Sequence, residues 1–322
     1  MAETQVVVSP APHLQAPTST EHLMRAVWVA LLPAAALAVY FFGWRALAVM
    51  LIATVTAVVV EVLCLKAAKR TVALDGSAGL TGLLLAMVIP PDVPLWIPVV
   101  GSAFAIALGK QIFGGLGHNP LNPALLGRAF LLASWPTLLT AWRWPANSLG
   151  WAAGQVDAVT TATPLYLLKS GALAEMGTEI PLAQLFFGNR AGSLGETSAL
   201  ALLVGGLFLI AIRVIDWRIP LAYLASVAAL AVLFGQNPLF HLLSGGLIIG
   251  AFFMATDYVT SPLTKKGRVI FGLGCGLLTM LIRKYGGYPE GVCYAILIMN
   301  AVVPLLDRST LPRRFGEVKV RA

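Results

Sequence analysis

Ala78-Gly79-Leu80-Thr81-Gly82-Leu83-Leu84-Leu85-Ala86-Met87-Val88-Ile89, stopped by Pro90-Pro91, is twelve apolar or small residues long. A helix needs about 20 such residues to cross a bilayer, so by length this run reads as re-entrant or as the first part of a broken span. Whether it crosses fixes the side of everything after it. Outward from it, longer apolar runs lie at 24–42, 46–65, 95–112, 124–139, 199–215, 219–234, 239–256, 268–284 and 291–306. The composition agrees: 58% of the 322 residues are hydrophobic and 11% charged, with a mean hydropathy of +0.83. A soluble fold needs more polar surface than that.

Charge decides the short run. If 78–89 crosses, fifteen basic residues share one side, among them Lys66, Lys69, Arg70, Lys110, Arg213, Arg218, and the basic tail, against six opposite. That bias marks the fifteen as cytoplasmic. The chain is therefore expected to be an all-α polytopic membrane protein of about ten transmembrane helices, some broken, with both termini cytoplasmic. Its segments read as a leader at 1–22, a first five-helix half at 23–139, an extracytoplasmic insert at 140–198, a second half at 199–306 and a basic tail at 307–322. The leader is too polar for a secretory signal. The net charge of +8 reads as topology and contact with anionic lipids; no basic cluster with interleaved aromatics points to nucleic acid.

The halves echo each other. Leu80–Met87 resembles Ile248–Ala255, each is followed by a proline-marked polar break, and the next span ends on Lys110 with Gly114-Gly115 or on Arg283 with Gly286-Gly287. The expected topology makes the two short segments run in opposite directions, as in an inverted repeat whose broken helices bring backbone dipoles to mid-membrane. Gly79, Gly82, Gly245 and Gly246 flank these segments, where missing side chains admit another backbone or a planar ligand. Asp75 and Asp257 are placed to organise the entrances of the two segments. Glu61 reads as a solvated boundary residue near Lys66. Cys64, Cys275 and Cys293 read as small apolar packing groups, and His118 and His241 as local hydrogen-bonding groups. A Gly-rich, amide-bearing turn at 114–123 lacks the spacing of a nucleotide-binding loop.

The insert carries Asp157-Ala158-Val159-Thr160-Thr161-Ala162-Thr163-Pro164. With Ser9-Pro10, Pro12-His13, the Asp75–Gly82 segment, Gly117-His118-Asn119-Pro120, Thr256-Asp257 and Ser261-Pro262, it makes the chain resemble the RnfD subunits of Rnf ion-translocating electron-transfer complexes, relatives of NqrB. The resemblance implies a flavin mononucleotide (FMN) joined through its phosphate to Thr163, in a setting of Asp157, Thr160, Thr161 and Ala162. Position 161 is Thr where relatives often have Gly. It further implies a noncovalent riboflavin, sought around Gly79, Gly82, Gly245 and Gly246. The function implied is that of an electron relay in a ferredoxin/NAD oxidoreductase of the bacterial inner membrane. Partner membrane and peripheral redox subunits would supply the terminal reactions, and a flavin transferase the maturation. A hydroxyl next to small Ala162 and stiff Pro164 suits such an attachment. Two other readings fit the residues: a two-repeat channel or secondary transporter without redox activity, and a structural anchor for a redox assembly.

Overall fold

The computed structural model describes residues 19–72, 75–142, 164–170, 182–188, 191–288 and 290–312. Among these residues every regular element is helical. Helix α1 (Thr20–Phe42) begins where the Ser19 side chain accepts from His22 N and ends at Gly43, whose φ of 73° lets α2 (Trp44–Ala67) turn back at once. Next come α3 (Ser77–Met87) and α4 (Trp96–Ile106), the latter prolonged by a π-helical segment at Ala107–Gln111. Asn122 caps α5 (Pro123–Ser134) by accepting from Ala124 N and Leu125 N at 3.0 and 3.2 Å, with proline at the first helical position where its missing N–H is harmless. Short α6 (Pro136–Leu139) follows.

Two small helices, α7 (Pro164–Lys169) and α8 (Leu182–Phe187), lie in the insert. A 3-10 turn at Leu194–Glu196 leads to α9 (Ala199–Ala211), and then come α10 (Arg218–Leu233), α11 (Pro238–Leu243) and α12 (Leu247–Ile249). A second π segment, Gly250–Met254, prolongs α12 before α13 (Lys265–Tyr285) and α14 (Val292–Thr310). Each of the ten apolar runs coincides with one or two of these helices. Three of them, α1, α2 and α14, are long and apolar enough to cross a membrane singly. Helix α3, with 11 residues, extends only about 16 Å and stops inside a hydrocarbon core of ~30 Å.

Neighbours repeat between the halves. Helix α2 packs on α3 and α4, as α10 packs on the second π segment and α13; α4 packs on α5, as α13 packs on α14. The halves meet through α1 against α9 and α5 against α14.

Loop contacts sort the chain ends into two faces. On one, Arg70 donates to Gly114 O (2.8 Å), Arg268 to Asp216 (2.7 Å), Leu263 N to Asp307 (2.9 Å) and Trp28 Nε1 to Gly76 O (3.5 Å). On the other, Arg45 donates to Asp92 O (3.1 Å) and Lys169 to Gly286 O. These pairs require the 78–89 stretch, together with the residues up to Pro94, to change sides. They also put both ends of the described chain on the first face. Helix α3 starts at that face and runs away from it, whereas the α12–π segment ends there, with Asn122 Nδ2 donating to Met254 O at 3.2 Å. The two short segments therefore run oppositely, as an inverted repeat requires.

Four expectations need correction. Residues 191–198 are buried, so the last part of the supposed external insert is a plug: Leu194 N donates to Ile89 O (3.3 Å), and a Cβ on Gly195 would meet both Met87 O and Ile249. Glu61 is 4% exposed and pairs with Lys110 of the next long helix, not with Lys66. The leader is shorter than expected, since α1 begins at Thr20, and α14 continues to Thr310, past the supposed tail boundary at 306.

Candidate functional site

Polar groups buried in the fold gather at the two ends of the broken segments. At the first face, Lys110 sits on the π segment and is only 2% exposed. It donates to Glu61 and, at 2.5 Å, to Ser77 Oγ, while Gln111 Nε2 donates to the same Glu61 oxygen at 3.1 Å. Ser77, the first residue of α3, in turn gives its backbone N–H (2.9 Å) and hydroxyl (2.5 Å) to Asp75. A hydrogen-bonded chain thus runs from half-exposed Asp75 through Ser77 and Lys110 to buried Glu61. An ionised pair inside a membrane fold is tolerated only with such partners. Beside it lies a cavity of about 90 Å³ walled by Ser77, Thr81, Lys110, Asn119, Asn122 and Asp257, the last accepting from Thr260 Oγ1 at 3.1 Å. Asp75 and Asp257 do stand at the first-face ends of the two broken segments.

At the second face the counterpart of Lys110 is Arg283. Its guanidinium donates to His241 O (2.8 Å), Ser244 O (2.9 Å) and Glu290 O (3.0 Å), pinning the break between α11 and α12. Glu290 also pairs with Arg128 of α5. Sequence reasoning missed Arg128 and Glu290; the signal that could have found the pair is a lone charge, Arg128, inside the apolar α5 run.

Helix α7 docks here. Pro164 and Leu165 are buried, Leu165 joins Leu185 and Phe240 in an apolar cluster, and Lys169 donates to Gly286 O. Gly245 has φ 71°, and a Cβ there would fall 2.3 Å from Leu165 and 2.7 Å from the Arg283 guanidinium. Glycine at 245 is what lets α7 reach the pinned break. Asp157, Thr160, Thr161, Ala162 and Thr163 lie outside the described residues.

Gly79, Gly82 and Gly246 are also occupied by protein. A Cβ on Gly82 would lie 2.5 Å from Ala53 O, one on Gly79 would lie 3.2 Å from Trp28, and one on Gly246 would lie 3.0 Å from Glu196. Close packing against α1, α2 and the buried plug accounts for these glycines. His241 and the buried cysteines Cys275 and Cys293 take part in packing and local hydrogen bonds; Cys293 Sγ donates to Leu125 O at 3.4 Å.

Comparison with known proteins places this arrangement. Over 324 residues the chain is 50% identical to the D subunit of the Na(+)-translocating ferredoxin:NAD(+) oxidoreductase complex of Acetobacterium woodii, covering 100% of this chain and 98% of that one. It is 47% identical to the D subunit of the proton-translocating ferredoxin:NAD(+) oxidoreductase complex of Clostridium ljungdahlii, covering 98% and 99%. Against the D subunit of the ion-translocating oxidoreductase complex of Stutzerimonas stutzeri the identity is 44%, with 93% of each chain covered. A model of the NQR2, RnfD, RnfE family matches residues 7–316, nearly the whole chain with its two broken segments and its insert, and the protein belongs to that family.

Proposed function

We propose that this chain is the D-type membrane subunit of an ion-translocating ferredoxin:NAD oxidoreductase complex, and that it relays electrons through FMN joined to Thr163. The observation that carries the subunit assignment is end-to-end similarity to relatives bearing that description. Partner membrane and peripheral redox subunits complete the reaction, because three cysteines fall short of the four thiolates an iron–sulfur cluster takes. Two relatives of similar identity are described with different ions, sodium and proton, so similarity does not select the ion.

The docking of α7 supports the flavin assignment. Pro164, the residue after the acceptor, is buried, and Leu165 sits against Gly245 and Arg283. A group carried by the preceding residue is therefore tethered to the outer end of the second broken segment. Bound there, a flavin supplies a carrier of one or two electrons. The chain's own residues do the positioning. Arg283 fixes the break beneath α7, Lys169 ties its far end to Gly286, and the Leu165–Leu185–Phe240 cluster keeps water from its inner side. None of these groups has to exchange a proton for that task.

The first face, which holds most of the basic residues, is assigned to the cytoplasm of a bacterial inner membrane, and the α7 face to the periplasm, where a flavin transferase would act. A noncovalent riboflavin finds no support at the four glycines. Flavin fluorescence that stays with the denatured, washed polypeptide tests the relay reading; its absence from protein made with the transferase would favour a transporter or anchor without redox activity.

A further inference from the structure

A second groove opens on the first face, sharing Leu23, Val214 and Tyr258 with the cavity beside the broken segments. Helices α1 and α9 pack side by side, and at their first-face ends they leave an open groove of about 640 Å³. Its walls change character along its length. Val29, Phe208 and Ile212 form an apolar stretch on the outer surface, exposed by 54%, 41% and 43%. At the rim stand His22, Arg25 and Arg213, with Tyr258 closing the floor through a hydrogen bond from its hydroxyl to Val214 O.

Arg213 is the informative residue. It follows the end of α9 with φ 59°, held by Arg213 N to Ile210 O (3.0 Å) and Val214 N to Leu209 O (2.9 Å). Glycine normally fills this left-handed position, and a side chain there costs about 1 kcal/mol. Among the described residues the Arg213 guanidinium makes no hydrogen bond or ion pair, so the strained position has no internal contact to offset it. Asp216, the nearest acid in sequence, is taken up by Arg218 and Arg268 at 2.9 and 2.7 Å. Glu21 pairs with Arg25 in a solvent-exposed contact, 3.1 Å long, of the kind that yields readily. The rim is thus net positive and the groove below it apolar, which is the complement of an anionic amphiphile.

We propose that this groove binds one anionic phospholipid, its phosphate between Arg25 and Arg213 and an acyl chain along Val29, Phe208 and Ile212. Lys69 provides an internal comparison. It too is a basic residue just past a helix end, with φ 52°, on the same face, but it is not among the residues that line this groove. Helix-end electrostatics alone would make the two residues equivalent; the lipid site makes them different.

The test is native mass spectrometry of the full chain in mild detergent with phosphatidylglycerol or phosphatidylcholine added. Wild type should retain one phosphatidylglycerol in preference to phosphatidylcholine. Arg213→Gly suits the left-handed backbone and so keeps the fold. It should weaken that retention about fivefold, and Arg25→Ala/Arg213→Gly about 25-fold, while Lys69→Gly leaves it unchanged. Equal retention of the two lipids, equal effects of Arg213→Gly and Lys69→Gly, or displacement by excess inorganic phosphate would overturn the proposal. So would phosphatidylglycerol binding that emerges only after residues 1–18 are deleted, because the groove would then belong to the chain's own leader.

Discussion

Lys110 and Arg283 close the corresponding long helices of the two halves, yet they hold the broken segments by different means. Lys110 meets side chains, Glu61 and Ser77, whereas the Arg283 guanidinium meets main-chain carbonyls of His241, Ser244 and Glu290. A compact ammonium suits a pair of side-chain oxygens, and a planar guanidinium fork suits several carbonyls at once. The consequence is a difference in how each contact can be lost. A side-chain pair can be removed from both sides, leaving nothing uncompensated. Carbonyls cannot be mutated away, so changing Arg283 leaves those acceptors at the second-face break without their donor. The first half therefore has an adjustable junction beside its cavity, and the second a rigid one beneath α7.

Breaking the rigid junction should do the most damage. Arg283→Met should destabilise the chain by roughly 4 kcal/mol, since several buried acceptors lose their donor, and Arg283→Lys should recover only part of it. Thermal unfolding in detergent reads both. Lys110→Met should cost somewhat less, about 3 kcal/mol, by leaving Glu61 buried without its opposite charge. Adding Glu61→Gln should return most of that loss. A double-mutant cycle measures the coupling, and an additive result would erase the distinction between the two junctions.

Packing contributes the next effect. Gly82→Leu and Gly250→Leu insert side chains where a Cβ already meets Ala53 O at 2.5 Å or Val292 at 2.4 Å, and each should cost about 1–3 kcal/mol. Unchanged midpoints in both would remove the packing account of these glycines.

A weaker effect is a pH dependence at the first-face loop. Burial alone would raise the Asp216 carboxyl, but the Arg218 backbone N–H and the Arg268 and Arg218 guanidinium groups outweigh it and hold the carboxyl below its usual range. A carboxylate lowered on folding stabilises the fold fully above its unfolded pKa, near 3.9. That contribution disappears as the pH falls through the lowered value. Asp216→Asn should therefore melt below wild type at pH 7, and the gap should narrow on acidification below about pH 4.

Much of this fold was legible in the sequence because membrane helices announce themselves by length and hydropathy. The ten apolar runs and the echo of Leu80–Met87 in Ile248–Ala255 carry local signals. The site was legible only in outline. Glu61 lies five residues from Lys66 and 49 from Lys110, so near-neighbour reasoning chose the wrong partner. The π segment that carries Lys110 has no residue signature of its own. Ser193, Glu196, Thr197 and Ser198 fall in the stretch assigned to the external insert, and only the tertiary fold shows them buried. The glycines were singled out correctly as places of close approach, but Ala53, Trp28, Leu165 and Glu196 are what approach them.

Whether Thr163 carries the flavin above the Arg283 junction is decided by peptide mapping with mass spectrometry, on chain produced together with the flavin transferase. One FMN phosphoester is expected, on Thr163. It should vanish in Thr163→Ala, persist in part in Thr163→Ser, and be unaffected by Thr160→Ala or Thr161→Ala. An equimolar covalent flavin in Thr163→Ala, or an adduct mapped to another residue in the wild-type chain, would refute the assignment.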